Sequence, residues 1–182
     1  MLKRRRIFML EKRNTHLKKL VTASLFVAMS IVLGKYLAFS TDLFRISFEN
    51  LPVILAGIWL GPWYGASVGL VADVVGSILV GYAINPGISL GALSIGLVAG
   101  LLWKHLPLKH DPARLVLSLI ASHLVGSVLI KTVSLAIWFG SPFLPTLGLR
   151  ILNYLAVGAA ECLVLLLLLR TPAFRSYFGK RS

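Results

Sequence analysis

Negative charge and cysteine are scarce in this 182-residue chain. It holds 6 Asp and Glu and one Cys, and charged residues of either sign make up only 14% of it. Soluble domains carry about 25% charged residues, so the chain has too few to cover itself with a hydrated surface. Cys162 stands alone, which excludes an intrachain disulfide and a cysteine-built metal site. Catalytic signatures are also missing. There is no His-Glu-x-x-His, no Gly-x-Ser-x-Gly and no phosphate-cradling Gly-x-x-x-x-Gly-Lys-Ser/Thr. His123 lies in an apolar run with no spaced histidine partner. No catalytic residue, metal ligand or cofactor is therefore expected, and the chain does not read as an enzyme. No linker, low-complexity stretch or internal repeat divides it, so residues 1–182 read as one domain.

What is abundant is apolar. Hydrophobic residues make up 57% of the chain, in runs that predict helices at residues 17–39, 47–61, 62–81, 88–104, 114–139 and 147–169. A span needs about 20 apolar residues, and the second run is short, ending at Gly61 and Pro62. Counting it as a crossing places the basic loop 104–114 inside, as the positive-inside rule prefers. The expected fold is an all-α integral membrane protein, a six-transmembrane-helix bundle embedded in the lipid bilayer, with cytoplasmic N- and C-termini. Residues 1–16 form a basic cytoplasmic segment and residues 171–182 a cytoplasmic tail. No small-residue cleavage site follows the basic start, so the first run is expected to remain as a span.

The net charge of +13 raises nucleic acid as a partner, but its distribution argues against that. Of the 19 Lys and Arg, eight lie before residue 20, three in the loop 104–114 and four from Arg170 onward. Basic segments flanking apolar runs are the ordinary topology signal. Trp59, Trp63 and Trp103 are expected at the inner interface and Trp138 at the outer one, as an aromatic belt.

Four cations remain in or beside the spans: Lys35, Arg45, Lys131 and Arg150. A rise of about 1.5 Å per residue puts all four in the outer half, where Glu49 is the one acid within a predicted run. An ionisable group in a span costs about 2.5–3.5 kcal/mol or more and usually faces a cavity or a partner. Snorkelling can account for Lys35 and Arg45, less readily for Lys131. The imbalance as a whole predicts an outward-opening pocket for an anion. Asp73 and Glu161 fall nearer the midplane, either as a carboxylate pair of the kind that serves proton coupling or as helix-packing polar residues. Small residues recur at four-residue spacing: Ser24 and Ala28, Ser30 and Gly34, Gly57 to Gly69, and Ala92 to Gly100. Such faces let helices approach closely, most of them within the bundle and a minority toward a membrane partner.

The stretch RISFENLPVILAG at 45–57, followed by Gly61-Pro62, Gly65, Gly69 and VADVVG at 71–76, resembles the folate family of energy-coupling factor (ECF) S components. So do NPG at 85–87 and RILN at 150–153. The family's loop before the fourth helix often carries an aromatic where Ile84 and Asn85 stand here. The resemblance implies a substrate-binding subunit in the bacterial cytoplasmic membrane that captures folate outside the cell. It implies as partners a transmembrane T component and two ATPases, which agrees with the missing phosphate-binding loop. On this resemblance Arg45, Lys131 and Arg150 face the ligand's carboxylates, and Glu49, Asn85 and Asn153 meet the pterin edge. Tyr154, Tyr82 and Phe48 are available to stack on the ring. Ser24, Ala28, Ser30 and Gly34 of the first helix are expected to dock the T component. An S component for another vitamin such as pantothenate, or a stand-alone proton-coupled carrier, is the alternative.

Overall fold

The protein is described by a computed structural model for residues 2–40, 45–108 and 110–171, with side chains from residue 14 on, those of Ser40 and Arg45 excepted. The basic side chains before residue 14 and the tail beyond Thr171 lie outside the described residues.

Helix α1 begins at Leu2, well before the predicted span, and runs to Ile31 before closing in a π turn, Val32–Tyr36. No glycine or proline interrupts residues 2–31, and Lys, Arg, Glu and Leu are good helix formers. The basic segment is therefore helical too. Strands β1 (Phe39–Ser40) and β2 (Arg45–Ile46) pair antiparallel and link α1 to α2. Helix α2 is Asn50–Leu60, only 11 residues. Proline is tolerated only in a helix's first turn, so Pro52 fixes the start, and residues 47–49 enter the bundle outside the helix. At about 1.5 Å per residue, α2 is near 16 Å long against a hydrocarbon core of about 30 Å. Of the six expected spans, the second is thus too short to cross as a helix alone. Among the described residues, five helices are long and apolar enough to cross: α1, with its apolar part at Asn14–Tyr36, α3 (Pro62–Leu79), α4 (Pro86–His105), α5 (Asp111–Phe139) and α6 (Phe143–Arg170). Gly61, at φ 109°, makes the turn from α2 to α3, and Pro62 starts α3 at a position where its missing N–H costs nothing.

Helices α2, α3 and α4 pack backbone to backbone. A Cβ on Gly65 would lie 2.5 Å from Gly57 Cα, and one on Gly100 would lie 2.7 Å from the Gly57 carbonyl oxygen. The predicted small-residue faces of these helices are thus spent inside the bundle. Around them Phe26, Ile54, Ile58, Val68, Ile95, Leu119 and Leu165 form the core. Trp103 belongs to it, buried under the Arg114 guanidinium at 5.0 Å from the ring centroid. It is a core residue rather than part of an interfacial belt. Trp63 and Trp138 are exposed.

The outer surface is apolar where a soluble protein's would be polar: Leu25, Met29, Val75, Leu124, Leu155, Leu163 and Leu167 are all exposed. That is what lipid contact requires. Helices α1 and α3 run in the same direction. His16 Nδ1 is 3.2 Å from the Tyr64 hydroxyl at one end, and Lys35 Nζ lies 5.7 Å from the Tyr82 ring centroid at the other.

Candidate binding cleft

The Lys35 end of the bundle opens into a cleft of about 390 Å³. Its walls come from α1, the 47–49 segment, α3, α4, α5 and α6. Drug-sized ligands occupy pockets of about 300–1,000 Å³.

Helix α5 supplies the deepest cation. Lys131 is 4% exposed, and its Nζ reaches Glu49 Oε1 at 3.5 Å. Its stem fits because Gly91 of α4 has no side chain: a Cβ there would lie 2.6 Å from Lys131 Cγ. The preceding turns of α5, His123–Ile130, are π-helical. Such turns recur at functional sites, and here the Ser127 carbonyl in that segment accepts a hydrogen bond from Arg150 Nη1 at 2.9 Å. Arg150, Asn153 and Tyr154 bring α6 to the cleft. Spacings of three and four residues set them on one helix face. Glu49 is held through its backbone, whose carbonyl accepts from Ser30 Oγ at 2.7 Å. Asp73 of α3 accepts from Ser89 Oγ of α4 at 2.7 Å. Lys35 completes the lining.

Five of the seven predicted ligand residues thus line one cleft: Glu49, Lys131, Arg150, Asn153 and Tyr154. The Arg45 side chain lies outside the described residues. Asn85 does not line the cleft. It is buried as the N-cap of α4, and its Oδ1 accepts from Gly87 N at 2.9 Å and Ile88 N at 3.3 Å. An N-cap is worth about 1 kcal/mol, so Asn85→Ala should lower the melting temperature in detergent by about 2–4 °C. Ligand affinity of the folded protein should stay within about twofold, the difference between cap and contact. A loss of affinity without a loss of stability would put Asn85 on the ligand instead.

The structure adds two charged residues to the expected set, Lys35 and Asp73. Asp73 alters the charge balance. Among the described residues lining the cleft, Lys35, Lys131 and Arg150 face Glu49 and Asp73, a smaller positive excess than four cations against one acid. Asp73 and Glu161 are not a pair. Glu161 is fully buried between α5 and α6, 2.6 Å from His123 Nε2. Of the rings expected to stack on a ligand, Tyr154 lines the cleft. Tyr82 lies under Lys35 instead, and Phe48 is half-buried without facing the cleft.

The small residues of α1 divide between two faces. Ser24 and Ala28 point out of the bundle. Ser30 and Gly34 are buried against the 47–49 segment, where a Cβ on Gly34 would lie 2.7 Å from Glu49 Oε2.

Comparison with known proteins places this geometry in context. The family described as "ECF transporter, substrate-specific component" matches residues 18–173. A crystal structure of FolT bound with folic acid superposes with TM-score 0.67 at 22% identity, covering 81% of this chain and 89% of that one. The S component of a bacterial ECF transporter gives TM-score 0.63 at 21% identity, covering 85% and 95%. The S component for biotin from an ECF-type ABC transporter gives 0.66 at 19%, covering 91% and 97%. At these identities the likeness is one of fold. No curated protein sequence matches significantly.

Proposed function

We propose, from the premise that this chain belongs to the family of ECF transporter substrate-specific components, that it is the folate-binding subunit of such an importer. The observation that carries this reading is the cleft, which gathers the cations Lys35, Lys131 and Arg150 with the carboxylates Glu49 and Asp73. The cations suit the dianionic glutamate tail of folate, which takes charge-assisted hydrogen bonds. The pterin edge presents an amide N–H beside an amino group, and a carboxylate is the natural acceptor for both. Glu49 and Asp73 supply that chemistry, with Asn153 as a neutral partner and the Tyr154 ring as a flat neighbour.

The smaller charge excess favours one second reading. A monoanion such as pantothenate needs fewer cations than folate and has no ring to stack. Titration calorimetry on the purified protein separates the two. Saturable heat with folic acid or a reduced folate, in the absence of ATP, is the expected result. Heat with pantothenate and none with any folate would replace the substrate and leave the family assignment untouched.

In this reading the cleft opens outward and the chain works with a membrane T component and two ATPases. Helix α2, with the extended residues before it, makes a sixth, partial crossing, and both termini are cytoplasmic. The basic residues gathered at the end opposite the cleft support that orientation. A cysteine in place of Lys109 should then be labelled by an impermeant reagent from the cytoplasmic side, and one in place of Ser141 from outside. The reverse pattern would overturn the orientation.

A further inference from the structure

His123 and Glu161 are the buried polar pair that the cleft itself does not use. His123 is 4% exposed and Glu161 fully buried. Their contact, His123 Nε2 to Glu161 Oε2 at 2.6 Å, ties the π-helical segment of α5 to α6. Burying two such groups away from water is expensive, and well-packed hydrophobic side chains often replace a buried ion pair without loss of stability. What a carboxylate–imidazole contact adds over two leucines is direction. The carboxylate oxygen fixes where the ring nitrogen points, and so fixes the plane of the ring.

That ring leads to the cleft. Tyr154 lies seven residues before Glu161, two turns along the same face of α6. The His123 imidazole packs between the two, its centroid 5.2 Å from that of Tyr154 with a tilt of 33°. Gly158 lies beside it, where a Cβ would meet His123 Cδ2 at 3.8 Å, an ordinary contact. On its other side His123 Nδ1 is 3.4 Å from Ser127 Oγ, and the Ser127 carbonyl receives Arg150. One segment of α5 therefore touches two cleft residues of α6, Tyr154 through the imidazole and Arg150 through a carbonyl.

We infer that His123 and Glu161 are positioning residues for the ligand: Glu161 orients the His123 ring, and the ring sets the Tyr154 phenol against the bound molecule. The inference rests on the cleft being the ligand site and specifies which buried groups shape its ring-binding wall. Neither residue touches the ligand. Their effect passes through Tyr154, so it should vanish when Tyr154 is absent.

The test is a double-mutant cycle on the full chain in detergent, read by folic acid titration. A second readout is free of ligand: the ¹⁹F resonance of 3-fluorotyrosine placed at position 154. Glu161→Leu should weaken folic acid binding by about tenfold, the size of one lost aromatic contact, and should shift the fluorine resonance. Glu161→Gln keeps an acceptor for the imidazole N–H and should restore most of both. In a Tyr154→Leu background, Glu161→Leu should change affinity by less than about twofold. Equal losses in both backgrounds, or an unmoved resonance, would overturn the positioning role while leaving the folate reading in place. A shifted resonance, restored by Glu161→Gln, in a protein that binds no folate would uphold the positioning and discard that substrate. Should Glu161→Leu not yield folded protein, His123→Gln interrupts the same chain from its other member and carries the same expectations.

Discussion

Replacing Arg150 with alanine should weaken folic acid binding ten- to a hundredfold, following from about 1.5–3 kcal/mol for a hydrogen bond to a charged group. Arg150 stands on the cleft wall of α6 with Nη1 committed to the Ser127 carbonyl, and its remaining donors are available to a carboxylate. Arg150→Lys should recover only part of the loss. One ammonium cannot both hold the carbonyl and grip an anion as a planar guanidinium does. The informative control is pterin without the glutamate tail. If Arg150 holds the tail, pterin binding should hardly change in either variant. If pterin weakens as much as folic acid does, the loss comes from freeing the Ser127 carbonyl and distorting α5, and Arg150 is part of the cleft's frame rather than its anion site.

Replacing Ala28 with tryptophan should abolish uptake by the assembled importer while leaving folic acid binding within about twofold. Ser24 and Ala28 lie one turn apart on α1 and face outward, so a neighbouring helix can come close there and an indole would hold it off. The cleft is lined from Lys35 onward along α1, nearly two turns away, and should not sense the change. Measuring uptake in vesicles that hold the T component and ATPases, beside calorimetry on the isolated chain, reads both effects. Loss of binding together with uptake would mean that position 28 supports the bundle. Normal uptake would move the docking face elsewhere. The other half of the expected docking face is not available in the same way, since Ser30 and Gly34 are buried against Glu49.

Much of this was legible in order along the chain because membrane insertion imposes local rules. A helix that must satisfy its own backbone in lipid announces itself as an apolar run, and the five long spans follow from that alone. The glycine and proline at positions 61 and 62 mark a turn wherever they occur. Charges that lipid would reject mark the cleft, and five of the seven predicted ligand residues line it. Family membership followed the same residues, through the block from 45 to 76.

Other features depend on which groups meet, and spacing along one helix does not encode that. Asn85 looks like a ligand amide in sequence, but backbone N–H groups of α4 take its oxygen. Trp103 reads as a belt residue until Arg114 covers it from the next helix. Asp73 and Glu161 read either as a pair or as helix-packing polar residues because both are acids at mid-depth; packing gives one to Ser89 and the other to His123. Composition and apolar runs thus determined that the chain is a helical membrane protein with charges that must gather away from lipid, since lipid acts on each segment separately. The partners of each buried polar group were decided only by tertiary packing. A charge in a low-dielectric interior settles against the nearest group able to answer it, and that group lies on another helix.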